Sequence, residues 1–148
     1  MNRREFLTVG TTTLAAVAGC VQAPEADEGG STTTESPTPA PEAHVVEMTD
    51  DLVYEPDAMT IAAGDRIVWR NVGSAVHTVT AYDDGVPEGA DYVSSGGFES
   101  ESAARDGFPE GGIASEETFA HTFETAGEYR YFCIPHEQIG MTGSVTVE

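Results

Sequence analysis

Lysine is absent from this chain. All 6 basic residues are arginine, they face 26 acidic residues, and the formal net charge is −20. A chain this acidic repels nucleic acid and anionic membrane surfaces, which argues against both as partners. The acidic residues run through apparent strands and turns instead of collecting in one tail. With lysine missing as well, that distribution points to adaptation to molar salt. Cysteine is nearly absent too. Cys20 and Cys133 could pair on arithmetic alone, but each sits in a motif that uses its thiol differently. No long hydrophobic run is available for a membrane span, since the apolar stretch Leu7–Ala18 is too short to cross a bilayer. Nothing in the chain pairs a nucleophile with a base or forms an organic-cofactor motif, which argues against an enzyme.

Three segments follow from composition. Residues 1–20 have the form of an export signal. Asn2-Arg3-Arg4-Glu5-Phe6-Leu7 resembles a twin-arginine motif, and Val17-Ala18-Gly19-Cys20 resembles a lipobox, making Cys20 the expected lipid attachment point. Residues 21–43 form an acidic, Thr- and Pro-rich linker with no large apolar residue after Val21, so this segment cannot build a core. As a flexible tether it would reach on the order of 25 Å. Residues 44–148 remain for one globular domain.

That domain has a β pattern. Val45–Thr49, Ala58–Ala62, Arg66–Val72, Val76–Tyr82, Thr118–Glu124, Glu128–Cys133 and Thr142–Glu148 are short, β-branched or aromatic, and alternate with polar residues. Seven or eight strands at this spacing predict an all-β, antiparallel Greek-key sandwich. Thr125-Ala126-Gly127-Glu128-Tyr129 is compatible with a tyrosine corner or with a plain core tyrosine. Asp83–Glu117 is irregular, rich in Gly, Ser and acid. It is expected to supply an edge strand and a loop, with a helical turn or two over Glu99–Asp106, and to be pinned by Tyr92, Phe98 and Phe108.

The chemistry is concentrated near the C-terminus, in Cys133-Ile134-Pro135-His136-Glu137-Gln138-Ile139-Gly140-Met141. Two residues separate Cys133 from His136, and four more separate His136 from Met141, so one loop presents a thiolate, an imidazole and a thioether. Completed by an upstream imidazole at His77, this is a His₂Cys set with a weak axial Met, the donor set of an electron-transfer copper centre. Soft sulfur suits Cu(I) and imidazole also suits Cu(II). One copper ion per chain is the expected cofactor. His44 and His121 are expected to be packing or surface residues, and Met48 and Met59 core filler.

Tyr129–Glu148 resembles the ligand loop of plastocyanin-type cupredoxins, and Gly64–Asn71 followed by His77-Thr78 is similar to that family's first-histidine region. With the acidic composition and the N-terminal motifs, the chain most resembles the halocyanins, membrane-attached blue copper proteins of extreme halophiles. Assignment of His77 as the upstream ligand rests on this resemblance. The resemblance implies a buried His77 whose second ring nitrogen is held by an acceptor. It also implies that His136 lies at the exposed end of the sandwich and passes the electron. Val76, Pro135, Ile139 and Met141 would form an apolar patch around it, and Phe132, before the cysteine, would be either an exposed second route or a residue packed under the long segment. Thr78 stands where many relatives have Asn, which puts in doubt the side-chain bond between the two ligand segments. Gly140 would permit close approach before Met141.

The implied function is a monomeric carrier of single electrons, lipid-anchored on the outer face of the cytoplasmic membrane and serving respiratory redox proteins there. Copper delivery or storage is the alternative on the same ligands. Multicopper catalysis would need a second His-rich site, which the two remaining histidines cannot build. Structural zinc is disfavoured by the thioether.

Overall fold

The computed structural model describes residues 40–148, in which eight strands form two four-stranded sheets. The signal at residues 1–20, with Cys20, and nearly all of the linker lie outside the described residues. The first sheet has the order β2 (Tyr54–Glu55), β1 (Ala43–Met48), β4 (Arg66–Asn71), β6 (Thr118–Thr122). The second has the order β3 (Ala58–Ile61), β8 (Thr142–Val147), β7 (Gly127–Phe132), β5 (Thr80–Ala81). Strand pairing begins slightly upstream of His44. Ala43 already pairs with Arg66, and the Glu42 N–H donates to Asp65 Oδ1 at 2.8 Å.

Alternation builds the core. In β4, Ile67, Trp69 and Asn71 point inward while Arg66 and Arg70 face solvent. In β7, Tyr129 and Tyr131 do the same. The inner faces meet around Trp69, whose ring lies 5.6 Å from Tyr131 and 6.2 Å from Phe123 in centroid distance. Val46, Met48, Ile61, Val145 and Val147 complete the cluster. Tyr129 does form a tyrosine corner, its hydroxyl donating to the Thr125 carbonyl at 2.8 Å. Met48 is fully buried and Met59 packs at the edge of the core, as filler residues should.

Two expectations are corrected. The sheets are mixed, not antiparallel throughout: β1 runs parallel to β4, and β3 parallel to β8. Local patterning cannot reveal this, because alternation is identical for either strand direction. The expected strand Val76–Tyr82 contracts to Thr80–Ala81, with His77 held by an isolated bridge to Ile113.

The long segment after β5 is tied down. The Ala81 N–H donates to Val93 O at 2.8 Å, the Ser95 N–H to Val79 O at 2.7 Å, and the Tyr92 hydroxyl to Ala81 O at 2.5 Å. A short helix, α1 (Glu101–Gly107), follows, and the Ser100 hydroxyl caps it by accepting from the Ala103 N–H at 3.2 Å. Phe98 lies so close to Gly107 that a Cβ there would sit 2.4 Å from its ring. Phe108, also expected to pin the segment, is 38% exposed. Among the described residues no helix is long and apolar enough to cross a membrane.

Candidate metal centre

The loop from Cys133 to Met141 is closed by its own backbone. The Cys133 N–H donates to Met141 O at 3.1 Å, and the His136 carbonyl accepts from Ile139 at 3.1 Å and Met141 at 3.2 Å. A 3-10 turn over Glu137–Ile139 ends at Gly140, which has φ 96°. That left-handed conformation explains the glycine. Close approach does not, since nothing lies within 4 Å of where its Cβ would be. The turn brings Met141 back beside the cysteine, and Met141 is fully buried in the same core cluster as Cys133.

His77 enters from the other ligand segment. Its N–H donates to Ile113 O at 3.2 Å, and its carbonyl accepts from the Ile113 N–H at 2.7 Å. Asn71 supports this bridge from β4. Its Nδ2 donates to Ile113 O at 2.9 Å and to Ala75 O at 2.6 Å, while its Oδ1 accepts from the Gly73 N–H at 2.9 Å. A buried amide with all these groups satisfied fixes a turn as firmly as backbone pairing would. Sequence reasoning passed over Asn71, although a polar residue in phase with buried Ile67 and Trp69 was the available clue.

Three donors converge. Cys133 Sγ lies 3.3 Å from His136 Nδ1 and 3.8 Å from His77 Nδ1, and all three atoms lie within 4.8 Å of one another. Donors bound at roughly 2.0–2.3 Å to one ion and spread at about 120° stand near 3.7 Å apart, so these separations fit a metal at their centre. The two imidazole rings are 5.1 Å apart and inclined at 62°. His77, Cys133 and Met141 are fully buried, and His136 is only partly so.

The electrostatics around His77 suit a metal, which takes the neutral imidazole. Burial, and then His136, lower the His77 pKa; the Thr49 backbone and Asp50 pull it partly back. His77 Nε2 is buried and makes no hydrogen bond of standard geometry, so the Thr49 contact is a loose one. Burial raises the Cys133 thiol, opposed by the Thr78 N–H, the Thr78 hydroxyl and the His136 backbone. A bound cation would reverse the burial effect.

Thr78 links the two ligand segments. Its N–H donates to Cys133 Sγ at 3.3 Å and its Oγ1 accepts from the Ile134 N–H at 2.8 Å. The cross-segment bond put in doubt by the missing Asn is therefore made by a hydroxyl. Tyr54, on a strand too short to read from sequence, donates its hydroxyl to the Thr78 carbonyl at 2.6 Å.

The expected surface is partly revised. Val76 is 44% and Ile139 65% exposed, and Pro135 is exposed. Met141 is buried and does not belong to the patch. Phe132 is also fully buried and is no exposed second route. Tyr82 packs against it at a tilt, 4.5 Å from its ring, and the Arg105 guanidinium of α1 covers it at 4.2 Å. Strand alternation turns Phe132 away from the inner face that carries Tyr129 and Tyr131, but the long segment folds over it. His44 and His121 stand apart from the centre, His44 paired with Asp65 at 3.1 Å and His121 4.8 Å from the Phe123 ring.

Known proteins agree with this geometry. The family described as copper binding proteins, plastocyanin/azurin family, matches residues 41–148. A plastocyanin from Scenedesmus fuscus is 35% identical over 97 residues, covering 66% of this chain and 88% of its own. A chloroplastic plastocyanin from Tetradesmus obliquus is 37% identical over 99 residues; the match covers 66% of this chain and spans 59% of that longer protein. A Sinorhizobium pseudoazurin of known structure superposes with a TM-score of 0.55 at 26% identity, covering 72% of this chain and 74% of its own. With His77, Cys133, His136 and Met141 supplying one copper site at the end of a two-sheet sandwich, this chain belongs to the plastocyanin/azurin family of copper-binding proteins.

Proposed function

We propose that the protein is a one-electron carrier and not an enzyme, held to the outer face of the cytoplasmic membrane by a lipid on Cys20, in an extreme halophile. This is the arrangement of the halocyanins. Copper supplies reversible Cu(I)/Cu(II) chemistry when bound. The observation that carries the proposal is the contrast in burial around the site. His77, Cys133 and Met141 are enclosed, so the ring edge of partly exposed His136 is where an electron can enter or leave. A fixed ligand cage, tied by Thr78 and Asn71, needs little rearrangement between oxidation states and gives the metal little room to exchange. That weighs against copper delivery, which needs an exchangeable ion.

At about 1 M salt the Debye length is ~3 Å, so charge steering is weak. Docking on membrane-bound respiratory partners then rests on the apolar patch of Val76, Pro135 and Ile139 around His136. A tether raises the effective concentration of a monomer near such partners.

The test is the visible and EPR spectrum of the protein with one equivalent of Cu(II) in high salt. An intense blue band with narrow copper hyperfine splitting, both lost in Cys133→Ala, supports the carrier. A pale, ordinary Cu(II) spectrum rejects it.

A further inference from the structure

We propose that Arg105, on α1 of the long segment, is a positioning residue for the copper site. It clamps the ligand loop at the residues that flank Cys133 and His136. The proposal rests on the copper assignment and not on the carrier reading.

Glu137 directly follows His136, and both of its carboxylate oxygens are taken by Arg105, Nη1 donating to Oε2 at 2.8 Å and Nη2 to Oε1 at 3.1 Å. The planar fork of a guanidinium matches a carboxylate in this way, whereas an ammonium cannot. Phe132 directly precedes Cys133, and the same guanidinium lies over its ring at 4.2 Å. One side chain thus touches the neighbours of two ligands. Glu101 orients it from the preceding helical turn, its Oε1 accepting from Nε at 2.9 Å and Nη2 at 2.8 Å. Tyr82 completes the clamp, donating its hydroxyl to Glu137 Oε1 at 3.0 Å while its ring packs at a tilt 4.5 Å from that of Phe132.

The loop needs such a clamp. Gln138, Ile139 and Gly140 are exposed, and the turn that carries them is otherwise held only by its own backbone bonds. An exposed ion pair alone contributes little to stability. Here its role is to fix the direction of one short turn. The contact distances leave no room for intervening solvent, so salt that abolishes long-range steering weakens the clamp far less. Arg105 also offsets the negative charge of Glu137 beside the ligand. Without it, an uncompensated carboxylate favours Cu(II) over Cu(I).

The experiment compares Arg105→Gln, Arg105→Lys, Glu137→Gln and the Arg105→Gln/Glu137→Gln double variant of the full chain in high salt. Reduction potential and EPR hyperfine splitting are read on copper-loaded protein, and amide hydrogen exchange on copper-free protein. Arg105→Gln is expected to raise the Cu(II):Cu(I) ratio at fixed poise about two- to tenfold, a fall of roughly 18–59 mV at 59 mV per tenfold. Amides of Gln138–Gly140 should exchange about threefold faster or more, with β7 and β8 unchanged. Glu137→Gln should shift the potential upward, Lys should rescue the charge effect but not the exchange, and the double variant should be non-additive. Potential, hyperfine splitting and loop exchange all unchanged in Arg105→Gln would overturn the proposal, as would full rescue of exchange by Lys. Should Arg105→Gln fail to fold, Lys and Glu137→Gln decide alone: faster loop exchange in both supports the clamp, and wild-type exchange in both rejects it.

Discussion

The hydroxyl of Thr78 accepts a hydrogen bond from the Ile134 N–H at 2.8 Å, joining the segment that carries His77 to the loop that carries Cys133. The same residue's N–H points at the Cys133 sulfur, 3.3 Å away. Thr78 therefore holds the thiolate directly and also holds the loop that presents it. Replacing it with the isosteric Val separates these roles, since the backbone donor stays and the acceptor goes. Thr78→Val should cost about 1–3 kcal/mol, the penalty for stranding the Ile134 N–H. Denaturant midpoints of the copper-free protein measure that cost. The blue band should persist with altered intensity, because the N–H to sulfur remains.

Asn71 supports the other ligand from a distance. Its amide holds Ala75, Ile113 and Gly73 together, and Ile113 in turn pairs with His77. Asn71→Ala leaves the Ala75 carbonyl without its partner, while Ile113 O keeps the His77 N–H and the Gly73 N–H keeps Met48 O, and it should destabilise the fold by about 1–3 kcal/mol. Copper affinity should fall with it, since the His77–Ile113 bridge loses its support from β4. A variant of unchanged stability and affinity would show that the network is incidental.

His121 gives a pH dependence of definite sign. Burial, the larger influence, lowers its pKa from 6.5, and Asp91 raises it by less. The folded state thus binds fewer protons at this site than the unfolded chain. Its contribution to stability is complete above about pH 6.5 and is lost as the pH falls below that value. Between about pH 8 and pH 5, His121→Phe should lose less stability than the native chain. Parallel denaturant midpoints at both pH values provide the comparison, and equal losses would remove His121 from the account.

Ile139 tests the docking surface. Among the described residues it is the most exposed of the large apolar side chains, at 65%, and it belongs to the ligand loop. Ile139→Asp should slow electron transfer to a partner at high salt several-fold or more while leaving the copper spectrum intact. Stopped-flow reduction of the two proteins makes the comparison, and equal rates would move docking elsewhere.

The ligand loop was legible because it is local. Cys133, His136 and Met141 fall within nine consecutive residues, and turn geometry at that spacing leaves little freedom. Strand positions were legible for a similar reason, since alternation writes Ile67, Trp69, Tyr129 and Tyr131 on one face. By itself, then, the sequence determined the three donors of the loop, the β class and the inward-facing residues, all of which depend on neighbours a few positions apart. Tertiary structure alone decided the parallel pairings of β1 with β4 and β3 with β8, which alternation cannot distinguish. It also decided the fate of Phe132. Strand geometry turns that ring away from the core, and only the return of α1, carrying Arg105, converts an outward position into a buried one. The bonds from Thr78 and Tyr54, and the bond from Asn71 to Ile113, fall in the same class. Each joins groups far apart in the chain, and nothing in the local pattern of either partner specifies that they meet.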